Sequence, residues 1–340
     1  MMFIKVVAFL TYMCYNLFMK NLYYATFERG LVPLIKIFLK KQDKNSSVKK
    51  LYDDSVLFFG DEKFKGSALP FKTIYQVLDS NFKVGAGALN SELKHFLERR
   101  DLKVSFPKTI SSFKLIYKCE SENKQVDEGL KKAVEITLKK QTKRQISFTS
   151  ELAELVFLSK KDGENLFMKK VFMPPELIKF SAERGLAPDL ALALNFLSEP
   201  SANEVSLDPF SASGIVSYVR ALCFKKANVI ANEENEALVS EIKRKAKALR
   251  EKHFSVLNYN FLSEEFPIHF IDKVVTNLPE NLSDFEMQEF FDKLAVSKVK
   301  IVAICMERGT LLNKFISKTY DIEMSFDTSR YTFVKLKYRG

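Results

Sequence analysis

The chain has only three histidines and four cysteines, and neither type clusters. Cys14, Cys119, Cys223 and Cys305 lie far apart with no C-x-x-C pair. Tetrahedral zinc ligation needs closely spaced cysteines or histidines, so no metal site is expected. The same scatter offers no disulfide framework and makes a reducing cytoplasm the default setting. Cys223 and Cys305 read as small packed hydrophobes, and His95, His253 and His269 as structural or solvated side chains. Tryptophan is absent and glycine is scarce, 11 residues against 31 phenylalanines; this bias assigns no function. Repeats and long low-complexity linkers are lacking too. One long apolar run occurs, over residues 1–18, but Lys5 and Asn16 interrupt it and no small-residue cleavage site follows. It reads as an over-extended start or a packed N-terminal helix rather than a signal anchor or membrane span.

What is present is ordinary globular material, 46% hydrophobic and 28% charged, in 340 residues that suggest two or three domains. The net charge of +11 is unevenly placed. Residues 1–150 carry the whole excess, and the remainder is close to neutral. A basic front on a neutral back suggests that the front meets a polyanion, with nucleic acid the foremost candidate.

From Leu22 the pattern reads strand (LYYATF), helix (GLVPLIKIFLKK) and strand (VKKLYDDSVLFFGD), with Leu31, Leu34, Ile35, Phe38 and Leu39 at helical spacing. SALPFKTIYQVL (67–78) reads as a further helix with Pro70 in its first turn. A second unit opens with the amphipathic ALNSELKHFLERR, N-capped at Asn90 or Ser91. It continues with the strand SFKLIYKCE, a helix over 126–141 and a hairpin over 153–172 that turns at Lys161-Asp162-Gly163. MPPELIKFSAERGLAP (173–188) reads as the join. The expected units are therefore 1–18, 19–85, 86–173 and 174–340.

Beyond the join, short apolar strands alternate with helices expected at 214–226, 235–252, 284–296 and 309–318. This is the signature of a parallel α/β sheet covered on both faces. The last two strands, YDIEMSF and YTFVKLKY, are joined so closely that they must form an antiparallel hairpin. Four strand ends carry polar groups. Asp208 is followed by the small-residue turn Ser211-Ala212-Ser213-Gly214, where backbone N–H groups can approach a ligand at a helix start. Glu233 can accept from a ribose diol, and the amide of Asn260 can read an adenine edge. Asn277-Leu278-Pro279-Glu280 ends the fourth strand, where an amide oxygen can hold an exocyclic amine in line with a methyl donor. Lys139, Lys140, Lys143 and Arg144 close the 126–141 helix as a candidate phosphate grip; a solvated helix end suits the dipole equally.

Asp208-Pro209-Phe210-Ser211-Ala212-Ser213-Gly214 resembles the D-P-F-C-G-S-G motif of class I methyltransferases that carry a THUMP RNA-binding domain. Asn277-Leu278-Pro279-Glu280 resembles their N-P-P-Y tetrad, residues 22–85 their ferredoxin-like segment, and residues 85–172 THUMP. Gly185 to Ala191 fall where that family joins its catalytic domain. The resemblance implies a Rossmann-like class I methyltransferase sheet preceded by an α+β ferredoxin-like/THUMP region. It implies S-adenosylmethionine as donor, with Asp208, Ser211, Ala212, Gly214, Glu233 and Asn260 binding it and Asn277 and Pro279 positioning the acceptor. The expected reaction is N2-methylation of a guanine in tRNA or ribosomal RNA. Four positions depart from the pattern: Ala212 replaces Gly, Asn260 replaces Asp, Leu278 replaces Pro, and Glu280 replaces the Tyr on which a target base would stack. The alternatives are a homologue that binds RNA with weakened or no catalysis, and methylation of DNA or of a protein glutamine through a similar tetrad.

Overall fold

Period-two and period-3.6 apolar patterns alternate along the chain, and the elements follow them closely. The computed structural model describes residues 21–42, 46–61, 70–80, 89–99, 102–149, 153–171, 185–224, 226–249, 253–263, 270–310, 312–316 and 319–340. The apolar extension 1–18 with Cys14, most of the join at 173–188, and His269 lie outside the described residues. The front of the chain runs β1 (Asn21–Thr26), α1 (Val32–Gln42), β2 (Ser47–Leu51), β3 (Ser55–Gly60), β4 (Thr73–Asp79), α2 (Leu89–Glu98) and β5 (Ser112–Cys119). It continues with β6 (Glu122–Asn123), α3 (Glu128–Thr142), β7 (Gln145–Ile146), β8 (Glu154–Ser159) and β9 (Asn165–Lys170). These strands form one nine-stranded sheet ordered β2-β3-β1-β4-β9-β8-β5-β6, with β7 against β5. Because β4 pairs antiparallel with β9, the two front segments share a continuous sheet.

The helix expected over 67–78 is corrected: its described part is the strand β4, paired with β1 and β9. Thr73, Ile74, Tyr75 and Val77 are β-branched or aromatic and alternate in facing. Ile74 enters the core beneath α1, while Tyr75 and Val77 pack on the opposite face of the sheet. Asn90 and Ser91 do not precede α2 but lie in its first turn. The Asn90 carboxamide oxygen instead accepts from the Asp127 N–H at 3.0 Å, tying α2 to the start of α3. Asp127 caps α3 by accepting from the Leu130 N–H at 2.9 Å.

Within α2, Glu92 is buried beside Leu93 and Phe96, and neither carboxylate oxygen has a hydrogen-bond partner. Burial pushes its carboxyl up to about 9. A carboxyl that stays protonated when folded but ionises on unfolding, at about 4.3, costs stability as pH rises between those values. Glu92→Gln is therefore expected to stabilise the protein, by more at about pH 8 than at about pH 5. Denaturant titrations at both pH values check this, and equal gains would refute it.

The C-terminal part runs α4 (Pro188–Leu197), β10 (Val205–Asp208), α5 (Ile215–Cys223), β11 (Asn228–Asn232), α6 (Glu236–Leu249) and β12 (Phe254–Leu257). It ends with β13 (Lys273–Asn277), α7 (Asp284–Val296), β14 (Ile301–Glu307), β15 (Tyr320–Asp327) and β16 (Tyr331–Tyr338). The second sheet is ordered β12-β11-β10-β13-β14-β16-β15. Its first five strands are parallel, and β16 enters antiparallel between β14 and β15. The closing hairpin is thus as expected. The helix expected over 309–318 is corrected to a single 3-10 turn at Leu312–Lys314, preceded by Gly309 at φ +98°.

The two parts share a core. Phe38 of α1 packs on Phe196 of α4 with ring centroids 4.5 Å apart, and both belong to one cluster that reaches Phe333 of β16. Gly30 abuts the end of β15 so closely that a Cβ would run into the Asp327 carbonyl oxygen. No other residue fits there. Cys223 and Cys305 pack in or against this core, and burial pushes the Cys223 thiol up to about 12. No helix among the described residues is long and apolar enough to cross a membrane, and among them no cluster of His, Cys, Asp and Glu could hold a metal ion.

Candidate functional site

Strand order reverses at β10, with β11 and β12 on one side and β13 and β14 on the other. Loops leaving the carboxyl ends of such strands diverge and open a crevice. Here the crevice is a cavity of about 920 Å³. Its walls include Ala212 from the loop after β10, Glu233 and Glu234 after β11, Asn260 after β12, and Asn277 and Pro279 after β13. Five of the eight cofactor-site and acceptor-site residues expected from sequence are therefore gathered on one cavity: Ala212, Glu233, Asn260, Asn277 and Pro279.

Asp208, Ser211 and Gly214 stand behind the wall and shape it. Asp208 is buried; one carboxylate oxygen accepts from Thr276 Oγ1 at 2.7 Å and the other from Ser217 Oγ at 3.3 Å. Burial pushes this carboxyl up to about 7, against the pull of those hydrogen bonds. Asp208 thus ties β10 to β13 and α5. Ser211 donates its N–H to the Asn232 carbonyl at 2.9 Å and its hydroxyl to the Asp208 carbonyl at 3.0 Å. Gly214 N–H closes the turn on the Ser211 carbonyl at 2.7 Å. Gly214 adopts φ +80°, and a Cβ would come within 2.8 Å of the Tyr218 ring.

Ala212 sits at φ +46°, a left-handed conformation that costs an L-residue about 1–2 kcal/mol. Its N–H donates to Glu233 Oε2 at 2.8 Å, while Glu233 Oε1 accepts from the Asn235 N–H at 3.0 Å. Each carboxylate oxygen keeps a further acceptor site, which is what a ribose diol requires. Ala212→Gly is expected to stabilise the fold by about 1 kcal/mol, less the unfolded-state entropy glycine adds. A chemical denaturation midpoint below that of the parent would contradict it.

Asn260 is committed differently from the sequence expectation. Its carboxamide oxygen accepts from the N–H groups of Leu262 and Ser263 at 3.1 and 3.0 Å, and its NH2 donates to Glu234 Oε2 at 2.9 Å. Asn260 therefore shapes its own turn and orients Glu234. Two positioning residues were not singled out in the sequence. Asn232 donates to the carbonyls of Pro209 and Tyr259, both at 3.1 Å, and accepts from the Tyr259 N–H at 3.2 Å. Asn258 donates to the carbonyls of Glu233 and Glu234, both at 2.9 Å. Together they bind three loops into one wall; asparagines at strand ends were the available signal.

At the end of β13, the carboxamide oxygen of Asn277 is buried without any hydrogen-bond partner. A buried unpaired acceptor costs about 1–3 kcal/mol, so it marks a place where a donor is awaited. Leu278 is buried in the core, and its N–H donates to the Cys305 carbonyl at 2.8 Å. A proline could not make that bond, so the backbone here is held by β14 instead of by a ring. Glu280 is exposed and paired with Arg330 at 2.8 Å, outside the cavity lining.

Lys139, Lys140 and Lys143 project from the exposed end of α3, on the front sheet rather than at this cavity. No carboxylate among the described residues pairs with them. Arg144 is half-buried, and its Nε is buried without a partner.

No family model matches the sequence, and no curated protein matches it. Solved structures do resemble it over nearly its whole length. TrmN from Thermus thermophilus matches with a TM-score of 0.73 at 17% identity, covering 94% of this chain and 99% of that one. SMU.472, assigned as a methyltransferase and complexed with SAH, matches at 0.65 and 15% identity over 94% and 98% of the two chains. A predicted N6-adenine-specific DNA methylase from Listeria monocytogenes matches at 0.65 and 14% identity over 96% and 98%. At these identities the likeness fixes the fold: the C-terminal sheet is the class I methyltransferase sheet, joined to an α+β front.

Proposed function

We propose that the protein is an S-adenosylmethionine-dependent RNA methyltransferase that modifies N2 of a guanine in tRNA or ribosomal RNA. The observation that carries this reading is the unpaired, buried carboxamide oxygen of Asn277 on the wall of a nucleoside-sized cavity. The residues present suit the donor. Glu233 retains acceptor sites for a ribose, the loop at Ala212 is small, and Phe210 and Phe261 supply apolar wall. SAH bound to SMU.472, whose fold this chain shares, agrees with this donor.

When bound, S-adenosylmethionine supplies an electrophilic methyl group on a positively charged sulfur. Asn277 accepts one N–H of the exocyclic amine and leaves the nitrogen lone pair directed at the methyl; this is catalysis by positioning. Pro279 fixes φ at its own position, and the Leu278–Cys305 bond fixes the backbone before it. The basic front, with Lys139, Lys140, Lys143 and Arg144 at its exposed helix end, would hold RNA phosphates. Front residues 86–173 serve as the THUMP-like RNA-binding part in this reading, with 174–340 as the catalytic domain.

Nucleoside mass spectrometry of fractionated tRNA and ribosomal RNA from wild-type and deletion cells tests the reading. Loss of an N2-methylguanosine in the deletion is expected. Identical methylation profiles would overturn the proposed reaction and favour a homologue that binds RNA without transferring methyl groups.

A further inference from the structure

The tetrad at Asn277 lacks an aromatic residue, because Glu280 stands at its fourth position and turns outward to Arg330. The guanidinium of Arg330 in turn lies 5.1 Å from the centroid of the Tyr331 ring, so this corner is self-contained. The cavity nevertheless has an aromatic face at the acceptor end. Phe285, in the first turn of α7, is 73% exposed and lines the same cavity as Asn277 and Pro279. By contrast, Phe290 and Phe291 on the same helix are fully buried.

The position of Phe285 is fixed. Ser283 and Glu286 form a reciprocal capping box at the start of α7, with Ser283 N–H and Oγ each donating to Glu286 Oε2 at 2.7 Å. Asp284 pairs with Lys314 at 2.7 Å. The ring is therefore presented from a pinned helix end. Beside it on the cavity wall stand Glu286 and Glu289. Two carboxylates repel a phosphate backbone but accept hydrogen bonds from the donor edge of a base. Base rather than backbone suits this end of the cavity.

We propose that Phe285 is the stacking platform for the target base, supplying from α7 the aromatic face that the tetrad lacks. This assignment rests on the nucleic-acid methyltransferase reading. Every base presents a π-face, so stacking adds affinity without choosing the base; Glu289 and Asn277 would favour a base edge rich in donors, as in guanine.

The absence of tryptophan makes a direct test available. Phe285→Trp places a single indole at the site, and Val296→Trp places one at the far end of α7, where the side chain is also exposed. With S-adenosylhomocysteine present, a guanine-containing single-stranded oligoribonucleotide is expected to quench the fluorescence of the Phe285→Trp variant and leave the Val296→Trp control unchanged. In parallel, transfer of labelled methyl groups to total RNA from deletion cells is compared for parent, Phe285→Ala and Phe285→Trp. Phe285→Ala is expected to lower kcat/KM roughly 10- to 100-fold, chiefly through KM, with donor affinity unchanged and activity largely restored in Phe285→Trp. Quenching without methyl transfer by the parent would uphold the platform and overturn the reaction. Methyl transfer that Phe285→Ala leaves intact, or equal quenching in both tryptophan variants, would overturn the platform and spare the reaction. Neither quenching nor transfer would overturn both.

Discussion

Glu204→Ala is expected to destabilise the protein by about 3–5 kcal/mol, a large share of the net stability of an ordinary domain. Glu204 lies just before β10 and is 5% exposed; Arg220 on α5 is 1% exposed and pairs directly with it. Lys273, at the start of β13, meets the other carboxylate oxygen at 2.7 Å, and the Ser201 hydroxyl donates to that oxygen at 2.6 Å. Burial alone would push the Glu204 carboxyl up; Arg220 and Lys273 reverse this and hold it below the usual range. Its contribution is therefore complete above about pH 4.3 and is lost as pH falls through the lower folded value. Arg220 also donates to Asn195 Oδ1 at 3.1 Å and Ser198 Oγ at 2.8 Å, so the network joins α4, α5 and two central strands. Alanine at 204 would strand two buried cations at the amino ends of these strands, opposite the cavity. Urea unfolding checks the magnitude, and the triple change Glu204→Leu, Arg220→Met and Lys273→Met, which removes both cations with the carboxylate, should recover most of the loss. A Glu204→Ala loss below about 1 kcal/mol would contradict this account of the network.

Asn277→Ala is expected to lower the methyl-transfer rate by on the order of 100-fold or more, because misplacing the acceptor amine forfeits the alignment on which transfer depends. The same change should leave donor affinity within about twofold, since Glu233, after β11, lies across β10 from Asn277. It should not destabilise the fold. The carboxamide oxygen is buried and unpaired, so removing it relieves a desolvation cost of about 1–3 kcal/mol and offsets the small cavity left behind. A structural asparagine behaves in the opposite way: its removal costs stability, and activity falls with the folded fraction. Single-turnover kinetics together with thermal melting separate the two. Asn277→Asp, which keeps an acceptor, should fall between parent and alanine.

Much of the C-terminal sheet was legible because each of its strands is a short apolar run bounded by an amphipathic helix, and because two strands joined by a few residues must pair antiparallel. The helix Pro188–Leu197 was not legible in this way. It is buried on every face, so it lacks the stripe that periodicity detects. Thr73–Asp79 was misread because Pro70 and a run of mixed apolar residues suit a helix start, whereas pairing on both sides decides for a strand. At the site, the positions of Glu233 and Asn277 followed from strand ends and from family resemblance. The hydrogen bonding around the site did not. That Asn277 is unpaired, that Asn260 spends its oxygen on its own turn, and that Leu278 replaces a proline by bonding to β14 are all properties of neighbours distant in sequence. Phe285 was silent for the same reason: a phenylalanine in a helix reads as core until the cavity beside it is known.

The central claim is that the strand ends around β10 form a site for S-adenosylmethionine. Isothermal titration of the purified protein with this donor tests it most directly. Micromolar binding is expected, weakened about tenfold or more by Glu233→Ala, as befits loss of a charged hydrogen-bond acceptor. The absence of any binding heat at millimolar donor, over several temperatures and with the protein folded, would contradict it.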